Sequence, residues 1–378
     1  MRPPLRVTII PPILEDEPFF SVRLYAANLV PALVEKGIGV DQLEFSRRFQ
    51  RWLPARINGP VNRYLLHPLY AAARQGRINH ILDHAYSHLA FTLDPRRTIV
   101  SCNSMSIPKA INGEIPGFAV SRALRASMWL RHAAMLRCAR IVACSHALKN
   151  DIIRFFGCDP EKVSVVHDGI NHSVFKRLQD RTSIDATIRD YTLPTDGTRL
   201  ILVVSTAGGG GYKNRMGALK TQQALVNRGI KSLMLLVGGA LTDEEQVFAN
   251  QHRLGASVRS LGRISWDALV ALYNLTDVFL FPSWDEGFGY PPIEAMACGA
   301  PVVVSKIPVL LETTGGAALA AAPDDAEGMA DQVQRILTDD DVANRLRADG
   351  QKQAQRYSWT RYADEIIEVY RDIAAAPQ

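Results

Sequence analysis

Short apolar runs alternate with longer stretches of helical periodicity along the chain, the pattern of βαβ units feeding a parallel sheet. In the first half Val7–Ile10, Thr98–Ser101, Ile141–Ala143 and Val163–Val166 read as strands, with helical patterns near Val22–Lys36 and Ala119–Arg140. The second half restarts the alternation. It reads as strand Leu200–Val204, helix Asn214–Asn227, strand Leu233–Val237, helix Thr242–His252, strand Val258–Ser260 and helix Trp266–Leu275. Strand Val278–Phe281, helix Pro292–Ala297, strand Val302–Ser305 and a long helix from about Glu327 complete it. Between the halves, Phe175–Gly197 is polar and poorly periodic, which predicts an interdomain connection.

The 378 residues suit two or three domains. A chain 47% hydrophobic and 21% charged is ordinary globular protein, which excludes collagen-like and wholly disordered readings. The net charge of +5 is unevenly spread. Residues 1–175 hold 22 Lys/Arg against 13 Asp/Glu, whereas residues 176–378 hold 21 against 25. Five cysteines (Cys102, Cys138, Cys144, Cys158, Cys298), odd in number and widely spaced, argue against a disulfide framework. No Cys/His cluster has zinc-ligand spacing. The N-terminus lacks the apolar core of a secretion signal, and no run reaches the length of a membrane span. These features predict a cytoplasmic chain, soluble or peripheral on the inner membrane face.

The richest segment runs from Phe281 to Val303. A buried strand ends at Phe281, and a loop carries Glu286 among small residues. Pro292 suits the first position of a helix, and Glu294 then falls in its first turn. Gly299 supplies a left-handed cap and Pro301 blocks continuation. Gly287 and Gly289 leave backbone N–H groups open at the helix mouth, a site for an anion or sugar hydroxyls. Two carboxylates thus flank an amide-rich loop at the carboxyl end of a strand, where open α/β sheets bind ligands. The same residues also describe a plain capped strand–loop–helix with Glu294 as a capping acid. A second constellation, Val204–Asn214, is a strand, a run of glycines (Gly208, Gly209, Gly210, Gly211) and a helix start with Lys213. Glycine amides can approach phosphate oxygens and Lys213 adds a point charge, although such a run alone is equally a flexible turn. It matches neither a Walker loop nor a dinucleotide fingerprint.

The string Glu286-Gly287-Phe288-Gly289, then Glu294-Ala295-Met296-Ala297-Cys298-Gly299, then Pro301-Val302-Val303 closely resembles the hallmark of glycosyltransferase family 4. Val165–Asn171 resembles the segment closing that family's first domain. Leu261-Gly262-Arg263-Ile264 with Leu269–Tyr273 resembles its nucleotide-side strand and helix. The resemblance implies a GT-B fold, two Rossmann-like doubly wound α/β domains facing a cleft. It implies an acceptor-side domain over 1–178, a nucleotide-sugar donor domain over 195–358, and a C-terminal helix of about 359–378 returning to the first. It further implies that Lys213 holds the donor pyrophosphate beside the Gly208–Gly211 amides. Glu286 would meet the transferred sugar's hydroxyls and Glu294 the ribose. Arg263 and Ile264 would lie near the base, with Gly287, Phe288 and Gly289 lining the loop. Many members carry an Arg shortly before the Lys; Thr206–Gly211 has none. A first-domain His-Asp pair is replaced here by Asn103-Ser104. Asn103 hydrogen-bonds but exchanges no proton near neutrality, and His84 is a candidate to compensate.

His84 and His88, four apart, lack a third metal ligand, so no metal site is expected there; separately, Mg²⁺ is not expected to be essential. No tightly bound cofactor is expected either; the nucleotide-sugar donor is a substrate. Two basic amphipathic stretches remain. Around 45–56, Phe45, Phe49, Trp52 and Leu53 share a helical face with Arg47, Arg48 and Arg51 nearby. Over 119–140, Arg122, Arg125, Arg131, Arg137 and Arg140 interleave with Leu124, Met128, Trp129, Leu130 and Leu136. Such helices suit anionic membrane surfaces or are simply solvated. No nucleic-acid motif accompanies them. The expected function is transfer of a hexose, mannose-like, from a nucleotide sugar to a saccharide or lipid-linked saccharide, with retention. The rivals are a nucleotide-sugar epimerase on the same fold and a degenerate, non-catalytic scaffold.

Overall fold

The computed structural model describes residues 5–13, 20–45, 59–205 and 211–376, with side chains described from Tyr25 in the second of these segments. The chain divides into two compact units. The first takes Met1–Pro108, Val120–Gly169 and Ser358–Gln378; the second takes Lys109–Ala119 and Ile170–Tyr357.

In the first unit β1 (Arg6–Ile10), β2 (Gly39–Gln42), β3 (Asn79–Ile81), β4 (Thr98–Cys102), β5 (Arg140–Ala143) and β6 (Val163–Val165) form one parallel sheet. Their order is β2-β1-β3-β4-β5-β6. Strands such as Thr98–Cys102 are buried throughout, which is why they read as continuous apolar runs rather than as alternation. Two strands were not legible. Gly39–Gln42 is a short, half-exposed edge, and Asn79–Ile81 is polar in two of its three residues yet fully buried. The buried His80 is satisfied there: Nδ1 lies 2.7 Å from Tyr370 Oη and Nε2 lies 2.8 Å from Ser101 Oγ. Burial lowers its pKa to about 3, so the ring is neutral. Tyr370 belongs to the helix Trp359–Ala375, whose Trp359, Tyr362, Ile366 and Tyr370 complete this unit's core against Tyr25, Leu29 and Leu33.

The second unit holds β7 (Arg199–Val204), β8 (Ser232–Val237), β9 (Val258–Gly262), β10 (Val278–Phe281), β11 (Val302–Ser305) and β12 (Leu319–Ala321). Their parallel order is β12-β11-β10-β7-β8-β9. The chain winds outward from β7 through β8 to β9, then returns to start again at β10 on the other side of β7. The carboxyl ends of β7 and β10 therefore border the topological switch point, where the flanking connections diverge and leave a crevice.

Several sequence expectations are corrected. The stretch 175–197 is not merely a connection: it contains the helix Thr182–Asp190, which buries Ile184 and Thr187 and packs on the helix Trp266–Leu275 of the same unit. The long helix after Glu327 is two, Ala326–Thr338 and Asp340–Ala354. Asp339 leaves helical geometry between them, and its carboxylate accepts from Val342 N to cap the second. The helix expected over 119–140 spans Arg122–Arg137, with Ser121 as its N-cap. The helix expected over 45–56 lies outside the described residues except for Phe45, whose ring packs against His67 and Tyr70.

Candidate active site

The two lysine- and glutamate-bearing segments singled out in the sequence flank the switch point of the second unit. Beyond β7, Gly208, Gly209 and Gly210 lie outside the described residues, and Gly211 turns the chain with φ +79°. Asn214 then caps the helix Arg215–Asn227 from a left-handed conformation, its side-chain oxygen accepting from Gly217 N at 3.0 Å. Its Nδ2 donates to Pro282 O at 2.9 Å and to Pro323 O at 2.7 Å. The helix start is thereby fastened to the loops that follow β10 and β12. Trp284 N donates to Tyr212 O at 2.7 Å and ties the same two segments once more.

This scaffold brings Lys213 Nζ to 2.7 Å from Glu286 Oε1, with both side chains nearly buried. The ammonium also lies 5.0 Å from the centroids of the Tyr212 and Phe281 rings, within cation–π range. Burial works against the Lys213 charge, but Glu286 prevails and holds the ammonium above its ordinary pKa. Burial pushes the Glu286 carboxyl above its usual value, and the facing ammonium opposes that push.

The helix after the loop begins at Tyr290, two residues earlier than its prolines suggested. Gly289 is its N-cap with φ +87°, a backbone conformation that favours glycine, and a Cβ there would also press on Leu310 Cδ2. Because of the earlier start, Pro292 is not the first helical residue and Glu294 lies beyond the first turn; it does not act as a capping acid. Its side chain is buried instead, accepting from Tyr273 Oη at 3.1 Å. Burial raises its pKa to about 7, partly countered by that hydrogen bond and by Lys213. Tyr273 was visible in the sequence only as an apolar position of its helix; nothing local marked it as the partner of an acid 21 residues later.

The remaining predicted residues fall in different places. The ring of Phe288 packs inward against Tyr290 and Tyr357, and the residue is buried. Arg263 follows β9 and is exposed, with Ile264 half-buried beside it, on the flank of the sheet away from β10. Gly287 stays in the loop beside Glu286.

In the first unit His84 and Asn103 follow the neighbouring strands β3 and β4, and the structure brings them together. Asn103 N donates to His84 Nδ1 at 3.5 Å, and Asn103 Nδ2 donates to Leu82 O at 3.2 Å. The same His84 nitrogen lies 3.2 Å from Asp83 Oδ1. His84 and His88 do not share a face, because residues His84–Phe91 form a 3₁₀ helix rather than an α-helix. At three residues per turn, positions four apart point about 120° apart. His88 turns inward, donating from Nε2 to Arg63 O at 2.7 Å, and burial lowers its pKa to about 4.

Comparison with known proteins matches the model described as "Glycosyltransferase Family 4" over residues 22–174 and "Glycosyl transferases group 1" over residues 188–353. The O-antigen chain mannosyltransferase RfbU of Salmonella typhimurium is 28% identical over 223 residues, 56% of this chain and 54% of that protein. The O-antigen chain mannosyltransferase B of Escherichia coli is 33% identical over 162 residues, 42% of each. The chain spans about half the length of the curated relatives it matches. Among solved structures, sucrose-phosphate synthase from Thermosynechococcus elongatus superposes with a TM-score of 0.73 at 19% identity, over 99% of this chain and 100% of that one. Anabaena Alr3699/HepE in complex with UDP-glucose gives 0.73 at 14%, over 97% and 100%. At these identities the likeness is one of fold.

Proposed function

The chain belongs to glycosyltransferase family 4, and we propose that it moves a hexose from a nucleoside-diphosphate sugar to a saccharide or lipid-linked saccharide acceptor. The hexose we propose is mannose, with retention at the anomeric carbon, in surface polysaccharide synthesis. The names of the O-antigen mannosyltransferases among its relatives support mannose and polysaccharide synthesis. The observation that carries the donor site is the buried Lys213–Glu286 pair at the switch point of the second unit.

Departure of a nucleoside diphosphate leaves negative charge on its phosphates, and preorganised donors aimed at that charge are the main catalytic contribution to be sought. In this proposal Lys213 supplies the charge and the amides of Gly208–Gly211 and Gly287–Gly289 supply hydrogen bonds, so that Mg²⁺ is not required. Glu286 accepts from hydroxyls of the transferred sugar, Glu294 from the ribose, and Arg263 with Ile264 meets the base. In the first unit Asn103 and His84 are the residues we assign to the acceptor.

A lipid-linked acceptor would sit at a membrane surface. No described helix is long and apolar enough to cross a membrane. The helix Arg122–Arg137 has the chemistry of a surface contact. It contains four arginines and no acid, and its Trp129 is 77% exposed. Tryptophan and arginine together favour the interface of an anionic bilayer.

The donor assignment is tested by thermal shift with UDP, GDP, ADP and dTDP, with and without Mg²⁺, beside Lys213→Ala. A nucleotide at 100 times its Kd should stabilise the fold by about 2.7 kcal/mol, and Lys213→Ala should abolish the shift. A melting point unmoved by all four nucleotides would remove the basis for the donor site.

A further inference from the structure

Lys109 belongs to none of the motifs above. It opens the stretch Lys109–Ala119, which interrupts the sequence of the first unit yet packs with the second. Its Nζ lies 2.6 Å from Asp285 Oδ1, with the two side chains only 17% and 3% exposed. The far end of the stretch runs along the Gly211–Lys213 turn. The Phe118 ring is 6.3 Å from that of Tyr212, and a Cβ on Gly211 would stand 3.8 Å from the carbonyl oxygens of Pro116 and Gly117.

Two consecutive, buried carboxylates therefore face two lysines from separate segments: Asp285 faces Lys109, and Glu286 faces Lys213. With all four ionised the cluster is electrically balanced. Remove Lys109 and one net negative charge is left beside Lys213, on the nearly buried Asp285 where water screens it only in part. A diphosphate would then approach against that charge, and Asp285 would compete with it for Lys213. The field of Asp285 is already felt at both Lys213 and Glu286.

Resting on the donor-site proposal above, we infer that Lys109 is a positioning residue for diphosphate binding: by neutralising Asp285 it keeps the charge of Lys213 available to the donor. The glycine run that precedes Lys213 contains no arginine. Lys109, in a separate segment, acts only by cancelling Asp285, so that Lys213 faces no surplus negative charge.

The test is calorimetric titration of the full chain with whichever of UDP, GDP, ADP and dTDP it binds. Lys109→Gln should weaken the diphosphate about tenfold, the low end of the coupling of close charge pairs. Lys109→Arg should retain affinity. Asp285→Asn should bind at least as tightly as the unaltered chain, because it leaves Lys109 as surplus positive charge. The double variant Lys109→Gln/Asp285→Asn should recover most of what Lys109→Gln loses, since charge balance is restored although the ion pair is gone. A double variant as weak as Lys109→Gln would make the pair a mere anchor and overturn the inference, as would unchanged affinity in Lys109→Gln. Failure of the unaltered chain to bind any of the four would instead overturn the donor site itself, and this inference with it. Thermal melting of each variant separates lost affinity from lost fold.

Discussion

Glu294→Gln should make the protein more stable above neutrality while weakening nucleotide binding. Burial lifts the Glu294 carboxyl from an ordinary 4.5 to about 7. At 1.36 kcal/mol per pKa unit, carrying it ionised costs the fold about 3 kcal/mol. The sign follows from proton linkage. Between pH 4.5 and 7 the folded chain holds this proton more tightly than the unfolded chain does, so stability falls as pH rises through that window. The cost approaches its full value above pH 7 and dies away below pH 4.5. Glutamine carries no titrating proton, yet its amide oxygen can still accept from Tyr273 Oη, so the substitution removes the charge and keeps the hydrogen bond. Parallel thermal and urea denaturation of the two proteins from pH 4.5 to 8.5 measures the difference. It should be near zero at the acid end and grow to about 3 kcal/mol in favour of Glu294→Gln by pH 8. A difference that does not vary with pH, or a variant less stable at pH 8, would refute the electrostatic reasoning. Nucleotide affinity should move the other way, falling in the variant, and in the unaltered chain as pH drops below 7. An acid kept at a stability cost is what a ligand-binding carboxylate predicts.

Two other perturbations test the framework around the site. In Gly169→Ala the new Cβ would collide with Trp359 N and Ser358 C; these are backbone atoms that can yield only by displacing the start of the C-terminal helix. A loss of about 1–3 kcal/mol is expected, and an unchanged melting point would count against that close packing. Replacing Trp129, Arg122 and Arg125 together with alanine should change the unfolding free energy by no more than about 0.5 kcal/mol, because all three are exposed. It should also release the protein from sedimenting vesicles rich in phosphatidylglycerol. Undiminished sedimentation would remove this helix as the membrane contact.

Much of the second unit was legible because its strands are apolar on both faces. Leu200–Val204, Val278–Phe281 and Val302–Ser305 stand out as buried runs between helices with ordinary caps, such as Ser265 before Trp266–Leu275. Elements whose burial depends on distant partners were not legible. Asn79–Ile81 is strand only in company with Ser101 and Tyr370, and the helix Thr182–Asp190 finds its apolar neighbour in Trp266–Leu275. Likewise, four-residue spacing would put His84 and His88 on one face of an α-helix, but the backbone there is 3₁₀ and His88 turns inward.

The glycine run, the Lys213-Asn214 pair, the spacing of Glu286 and Glu294 and the alternation of strand and helix are properties of the chain itself. They determined the fold class and the family. Tertiary structure decided the pairings. Lys213 and Glu286 are 73 residues apart, and Lys109 and Asp285 are 176 apart. The first meeting depends on strand order and on the left-handed cap at Asn214, the second on the stretch Lys109–Ala119 belonging to the same unit as Asp285. Periodicity records how a residue relates to its near neighbours on one element, whereas the charge balance of a buried site is a sum over whatever the topology brings within a few ångströms.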